Sequence, residues 1–541
     1  MMHTQLTLRL LLEQPAELFP YKEIISRTEN ATFRYTYADF YRRVVRLANV
    51  LQDLGVKQGD RVAVLAWNTY RHLELYFAIP CMGATLHMVN FRLFRDQLSY
   101  VIRHAGDVLV FVDDSMLPML EPIAEKLNDV RGFVVMTDGE PVTQTALSPI
   151  YDYEQLLAQA PDQFAFPDLS EESAAGICYT SATTGNPKGV VYSHRGLYLH
   201  SLNMCIADTL GISERDTVMP VVPMFHANGW GFPYSATWMG ATQVMPGPHP
   251  SPKDLAQLIN DEHVTVAAAV PTVWLDMERV IEQEGGYDLH SLRALVVGGS
   301  AAPRGLIQRF QEKYGVPIVH AYGMTETTPL ATVSRLKSIH DPLSNEEKYD
   351  IRAKQGLLAS GLKMRVVRDD GSEVAHNGKE MGELLLQGPW IADSYYNDER
   401  TKETFIDGWL HTGDVVTVDE EGYIQLMDRT KDLVKSGGEW ISTVELENAL
   451  MAHPAVAEAA VIAIPHEKWR ERPLACVVLK PEYVGKVTKE EMIDFLAPHF
   501  AKWWLPDDVL FVDAIPRTST GKFFKKQLRE AYQKGELNPI S

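Results

Sequence analysis

Short, continuously apolar runs separated by helix-like stretches set the strongest limit on what this chain can become. "RVAVLAWN", "VLVFVDD", "GFVVMT", "VTVAAAVP", "ALVVGGS" and "PIVHAYG" all lie in the first two-thirds of the sequence. A strand that is apolar on both faces has to be covered on both, and helices crossing between parallel strands supply that cover. One of the intervening stretches carries clear helix signals. Thr36 and Asp39 form a capping-box pattern ahead of Val44, Leu47, Ala48, Leu51 and Leu54, which recur at helical spacing, and Gly55 follows as a stop. The pattern predicts an α/β fold with helix-covered sheets.

After "GELLLQGPW" the texture becomes strand- and turn-rich. Beyond it lies a small α/β unit, with helices over "VELENALMAHP" and "KEEMIDFLAPHF", strands over "EAAVIAIP" and "LACVVLK", and a basic end, "RTSTGKFFKKQLRE". The expected organisation is a large multi-subdomain N-terminal domain over 1–428, a hinge at 429–432 and a small mobile domain over 433–541.

Charge and cysteine usage narrow the function classes. A net charge of −20 over 541 residues opposes a general grip on nucleic acid, which needs clustered Lys and Arg, but leaves room for a nucleotide. The four cysteines (Cys81, Cys178, Cys205, Cys476) have no paired spacing, so neither a disulfide framework nor a zinc site is indicated. Arg9 and Glu13 bracket the short apolar run near the start, which reads as an amphipathic first helix and not as a signal peptide. No apolar stretch approaches the roughly twenty residues of a membrane span. A soluble, cytoplasmic protein is expected.

Several motifs carry chemistry. "YTSATTGNPKG" (Tyr179 to Gly189) follows an apolar strand and offers hydroxyls, backbone N–H groups and Lys188, a composition suited to phosphate oxygens. It fails the Walker spacing, as does "PRTSTGKF" near the end. "PMFHANGW" sets His226 and Trp230 one helical turn apart. "VVGGSAAP" ends a strand in small residues, where a flat ligand can approach the backbone. "HAYGMTET" ends another with an aromatic, a hydroxyl and a carboxylate. "HTGD", "DRTKD" and "KSGGEW" add Asp414, Arg429, Lys431, Lys435 and Trp440, and the tail adds Lys522.

In this order and spacing, from about residue 30 to the tail, the motifs resemble the adenylate-forming superfamily of acyl-CoA synthetases, luciferases and adenylation domains. "PMFHANGW", "GGSAAPR" and "KSGGEWIS" look most like its fatty-acyl-CoA synthetase branch. The resemblance implies that a carboxylic acid and ATP give acyl-AMP and pyrophosphate, and that CoA then displaces AMP. It places the β- and γ-phosphates on Thr180, Ser181, Thr183, Thr184, Gly185 and Lys188, and a Mg²⁺ ion on Thr180 and Glu326, oxygen donors suited to a hard cation. Thr325 contacts the α-phosphate. Tyr322, with its neighbours His320, Ala321 and Gly323, stacks on adenine, and Gly298, Gly299, Ser300 and Ala301 line the other face. Asp414 and Arg429 take the ribose. Lys522 and His226 are the catalytic candidates. Lys431 belongs to the hinge, and Lys435 is carried with the nucleotide. His226, Ala227 and Trp230 border the acyl pocket, while Gly438, Glu439 and Trp440 help form the pantetheine tunnel.

By the same resemblance a medium- or long-chain fatty acid is the expected substrate. The alternatives are a short thioether acid such as 3-methylthiopropionate or an inactive nucleotide-binding relative. Homodimerisation through the N-terminal domain is common in the branch and is left open.

Overall fold

The structure is a computed structural model. It describes all residues except 1, 30, 143, 181–185, 430–431, 437–438, 518–522 and 538–541, and the backbone alone of Glu439. By compactness the chain forms two units, Met1–Lys363 with Gln387–Leu410, and Met364–Leu386 with His411–Ser541.

The first unit holds the two sheets that the apolar runs predict. In one, parallel strands lie in the order Ile318–Gly323, Ala294–Val297, Val266–Ala269, Thr217–Pro220, Thr242–Met245 and Glu23–Arg27. Antiparallel strands extend both of its edges. In the other, Ile150–Asp152, Phe133–Met136, Asp107–Asp113, Arg61–Leu65, Thr85–Met88 and Ala174–Tyr179 are parallel, and Gly189–Ser193 closes the row antiparallel.

The helix Tyr70–Cys81 is buried along its whole length and touches strands of both sheets, which explains why it has no polar stripe. Its Glu74 is fully buried, and the guanidinium of Arg43 at 2.7 Å and the hydroxyl of Tyr153 at 2.6 Å satisfy it.

Local signals are realised closely. The helix Tyr37–Asp53 begins on the expected capping box, with Asp39 N donating to Thr36 Oγ1 and Thr36 N donating to Asp39 Oδ2. Val44, Leu47, Ala48 and Leu51 are buried. The first helix, Leu8–Leu18, buries Leu8, Leu11 and Leu12 in the same core, the amphipathic packing expected of it. Among the described residues no helix is long and apolar enough to cross a membrane.

The second unit is the smaller α/β body. It contains a sheet that includes Gly382–Gln387, Trp409–Val418 and Ile424–Arg429. Another sheet is built on the pair Val456–His466 and Arg470–Leu479, flanked by the helices Thr443–Met451 and Lys489–Leu496. A buried polar node ties its parts together. Lys525, first residue of the last helix, lies 2.6 Å from Glu447 and donates to Thr443 Oγ1, and Thr443 N donates to Asp428 at 2.8 Å. Burial pushes the Glu447 carboxyl up to about 7 against the pull of Lys525. Burial also opposes the Lys525 charge, yet Glu447 and Asp428 raise its pKa overall.

Removing the cation strands two buried carboxylates. Lys525→Met is expected to destabilise the second unit by about 3–5 kcal/mol, seen as an earlier urea transition and faster amide exchange in the helix Thr443–Met451. Unchanged exchange there would show that the node carries no weight.

Candidate functional site

The strands Ala294–Val297 and Ile318–Gly323 are adjacent and parallel, so Gly298–Ala301 and Thr325–Glu326 leave the sheet at the same carboxyl edge. That edge is where open α/β sheets take ligands. Gly298 sits in a tight slot: a Cβ there would lie 3.1 Å from the Trp230 ring and 3.2 Å from the Ala321 carbonyl, so a neighbour would have to give by a few tenths of an ångström. The "HANGW" and "GGS" motifs therefore meet.

His320 is fully occupied by the backbone. Its Nδ1 lies 3.0 Å from the Ala353 carbonyl, its Nε2 accepts from Ala302 N at 3.4 Å, and burial lowers its pKa to about 4. As a neutral ring it pins the turn after Gly298. Tyr322 is half-buried on the same strand.

The approach to Trp230 differs from the expectation. His226 and Trp230 are not one ordinary helical turn apart. Ala227, Asn228 and Trp230 have φ of 45°, 59° and 55°, so the chain winds in a left-handed turn. Such backbone costs about 1–2 kcal/mol per non-glycine residue. Trp230 is 9% exposed and packs among the apolar residues that surround Gly298, so burial offsets the strain. Only Asn228 and the two glycines in "HANGWG" hint at this in the sequence.

The phosphate-loop candidate joins Ala174–Tyr179 to Gly189–Ser193 as the end of a hairpin, strand to strand. A Walker loop instead leads into a helix, which explains the failed spacing. Thr180 N donates to Lys188 O at 2.9 Å and Lys188 N to Thr180 Oγ1 at 3.2 Å, which close the base of the loop. Ser181, Thr183, Thr184 and Gly185 lie outside the described residues.

A segment the sequence reading passed over holds this loop against Glu326. Lys188 Nζ donates to Tyr395 Oη at 2.7 Å, and Tyr395 donates to Glu326 Oε1 at 2.6 Å. Tyr396 N donates to Gly189 O at 2.8 Å, and both Arg400 terminal nitrogens to Asn186 O at 3.1 Å. Tyr192 Oη donates to the Thr325 carbonyl at 2.9 Å. The paired tyrosines of "ADSYYND" have no periodicity and no charge cluster, so nothing in the sequence singles them out. Glu326 is 4% exposed, and its Oε2 has no hydrogen-bond partner among the described residues. A buried carboxylate with one free oxygen suits Mg²⁺, which takes one or two carboxylates and completes its shell with water and substrate phosphates.

In the second unit Asp414 is 2% exposed and stands opposite Arg429 in an antiparallel pair, with Arg429 Nε at 2.9 Å from Oδ1. Lys435 faces Trp440 across a hairpin, its Nζ 5.8 Å from the ring centroid. Lys431, Gly438 and Lys522 lie outside the described residues, as does the Glu439 side chain. Arg472 lies in the same unit. It is buried, paired with Asp507 at 2.7 Å, and donates to the Leu505 carbonyl at 2.9 Å.

The family model for AMP-binding enzyme matches residues 12–396, and that for the AMP-binding enzyme C-terminal domain matches residues 445–522. The chain belongs to the AMP-binding enzyme family. It is 49% identical over 537 residues to a long-chain-fatty-acid–CoA ligase of Thermus thermophilus, covering 98% of this chain and 97% of that protein. It is 42% identical over 535 residues to a 3-methylmercaptopropionyl-CoA ligase of Ruegeria lacuscaerulensis, covering 98% of each. Among solved structures, an anthranilate CoA ligase in complex with anthranoyl-AMP superposes with a TM-score of 0.86 at 26% identity, covering 98% of each chain. This AMP-binding enzyme is an AMP-forming acid–thiol ligase of the acyl-CoA ligase class.

The left-handed turn yields a test. Gly231 continues it at φ 79°, and a Cβ there would run into the His200 ring, whose Nε2 accepts from Leu330 N at 3.2 Å. Gly231→Ala is expected to lower stability by more than about 1 kcal/mol, read as a lower Tm. An unchanged Tm would contradict the turn.

Proposed function

We propose that this AMP-binding enzyme activates a medium- or long-chain fatty acid. The similarity to the long-chain-fatty-acid–CoA ligase over nearly the whole chain carries that reading. A short thioether acid is the second reading, favoured by the comparable similarity to the 3-methylmercaptopropionyl-CoA ligase. The retained Thr180, Glu326, Asp414, Arg429 and Lys522 count against an inactive relative.

In the first half-reaction a carboxylate oxygen attacks the α-phosphorus of ATP, the bond to the β-phosphate bridge breaks, and pyrophosphate leaves. Thr180, Lys188 and the hydroxyls at 181–184 receive the leaving phosphates, with Thr325 at the α-phosphate. Glu326 and Thr180 hold Mg²⁺, which when bound neutralises charge on the phosphates. Tyr322 and the backbone of Gly298–Ala301 sandwich adenine, and Asp414 accepts from the ribose hydroxyls beside Arg429. Lys522 offsets the charge gathered where carboxylate and phosphate meet. One preorganised contact of this kind is typically worth roughly 10²–10³ in rate.

The small domain then turns about 429–432, bringing Gly438, Glu439 and Trp440 towards the active site, and the CoA thiolate attacks the carbonyl as AMP departs. His226, Ala227 and Trp230 border the acyl chain. A cytoplasmic location and a homodimer complete the reading.

ATP–pyrophosphate exchange across acids from C2 to C18, with thioether acids included, tests the substrate. The highest kcat/KM is expected at C8 or longer, and a maximum at a thioether acid would select the second reading. Lys522→Ala is expected to abolish exchange yet largely spare thioester formation from supplied acyl-AMP. Equal loss in both would refute the division of labour.

A further inference from the structure

Lys188, Tyr395 and Glu326 come from three distant parts of the chain and meet at one hydroxyl. The lysine donates to the phenol oxygen at 2.7 Å, its Nζ also sitting 3.9 Å from the ring centroid, and the phenol lies 2.6 Å from Glu326 Oε1. An ammonium only donates and an ionised carboxylate only accepts. The order is therefore fixed: Lys188 to Tyr395 to Glu326.

The tyrosine is itself held firmly. It is buried, its N–H donates to Thr401 Oγ1 at 3.0 Å, and its ring packs edge-on against Phe405 at 5.2 Å. Its hydroxyl accepts from the lysine and donates its own O–H to the glutamate. Ala392 N donates to the Glu326 carbonyl at 2.8 Å, and the contacts of Tyr396 and Arg400 fasten the same segment to the loop. Residues 392–400 are thus joined to Glu326 on one side and to the loop on the other.

We propose that Tyr395 is a positioning residue for nucleotide binding, a neutral spacer that keeps Lys188 and Glu326 from pairing directly. This rests on the reading that both face the triphosphate and its Mg²⁺. Both charges are needed there, and a direct ion pair would withdraw the cation from the phosphates and a carboxylate oxygen from the metal. The hydroxyl stands between the two charges with one bond to each and leaves the glutamate its Oε2.

Tyr395→Phe keeps the ring and its packing but removes the spacer atom. Calorimetry on the full chain with ATP and Mg²⁺ is expected to show binding weakened about tenfold or more, the scale of losing a charge-assisted hydrogen bond. The KM for ATP in pyrophosphate exchange should rise in parallel, with kcat changing less and Tm nearly constant. Lys188→Met should add little in the Tyr395→Phe background, because the lysine would already be diverted.

Unchanged ATP binding, additive effects of the two substitutions, or equal loss in exchange and in thioester formation from supplied acyl-AMP would each overturn the proposal. A wild-type chain without exchange on any acid would strike the fatty-acid activation reading instead, and the calorimetric comparison would still decide the role of Tyr395.

Discussion

A parallel sheet covered by helices hides its whole backbone ladder, so the chain can expose polar groups freely only where strands end. That constraint organises the first unit. Both sheets are covered on both faces, and the helix Tyr70–Cys81 is shared between them. The glycine-rich turn after Val297, the "TET" turn after Gly323 and the loop after Tyr179 are all at strand ends. The polar groups gathered there need not compete with the sheets for hydrogen bonds. They are spent on one another, as in the Lys188–Tyr395–Glu326 relay, or left for a ligand, as at Glu326 Oε2.

The second unit solves a different problem. Two of its buried cations are matched inside the structure. Arg472 is used up by Asp507 and main-chain carbonyls, and Lys525 answers Glu447 and Asp428 together. Lys525 stands three residues beyond Lys522. The tail that carries the proposed catalytic lysine is therefore anchored close by.

Much of the architecture could be read from local signals. The apolar runs became parallel strands because no polar face was available to them, and Thr36 and Asp39 started a helix because their capping bonds are short-range. The motif order was legible too, since it survives as linear text. What the sequence hid was pairwise and distant. Tyr395 lies more than two hundred residues from Lys188 and has no periodic partner, and its role appears only when a third segment, Glu326, is placed beside both. The handedness of "HANGW" was hidden for another reason. A histidine and a tryptophan four apart are spaced alike in either hand, and tertiary packing of Trp230 chose the costlier one.

The contact between Gly298 and Trp230 has a consequence for how such an enzyme can diverge. On the proposed assignment one side of that slot serves the acyl chain and the other the adenine, with little room between them. Replacing Trp230 to admit a bulkier acid would remove a wall from the nucleotide slot, and filling the slot would displace the tryptophan. Changes of substrate range are thus channelled away from this position and towards the far end of the acyl pocket, where the two ligands share no boundary.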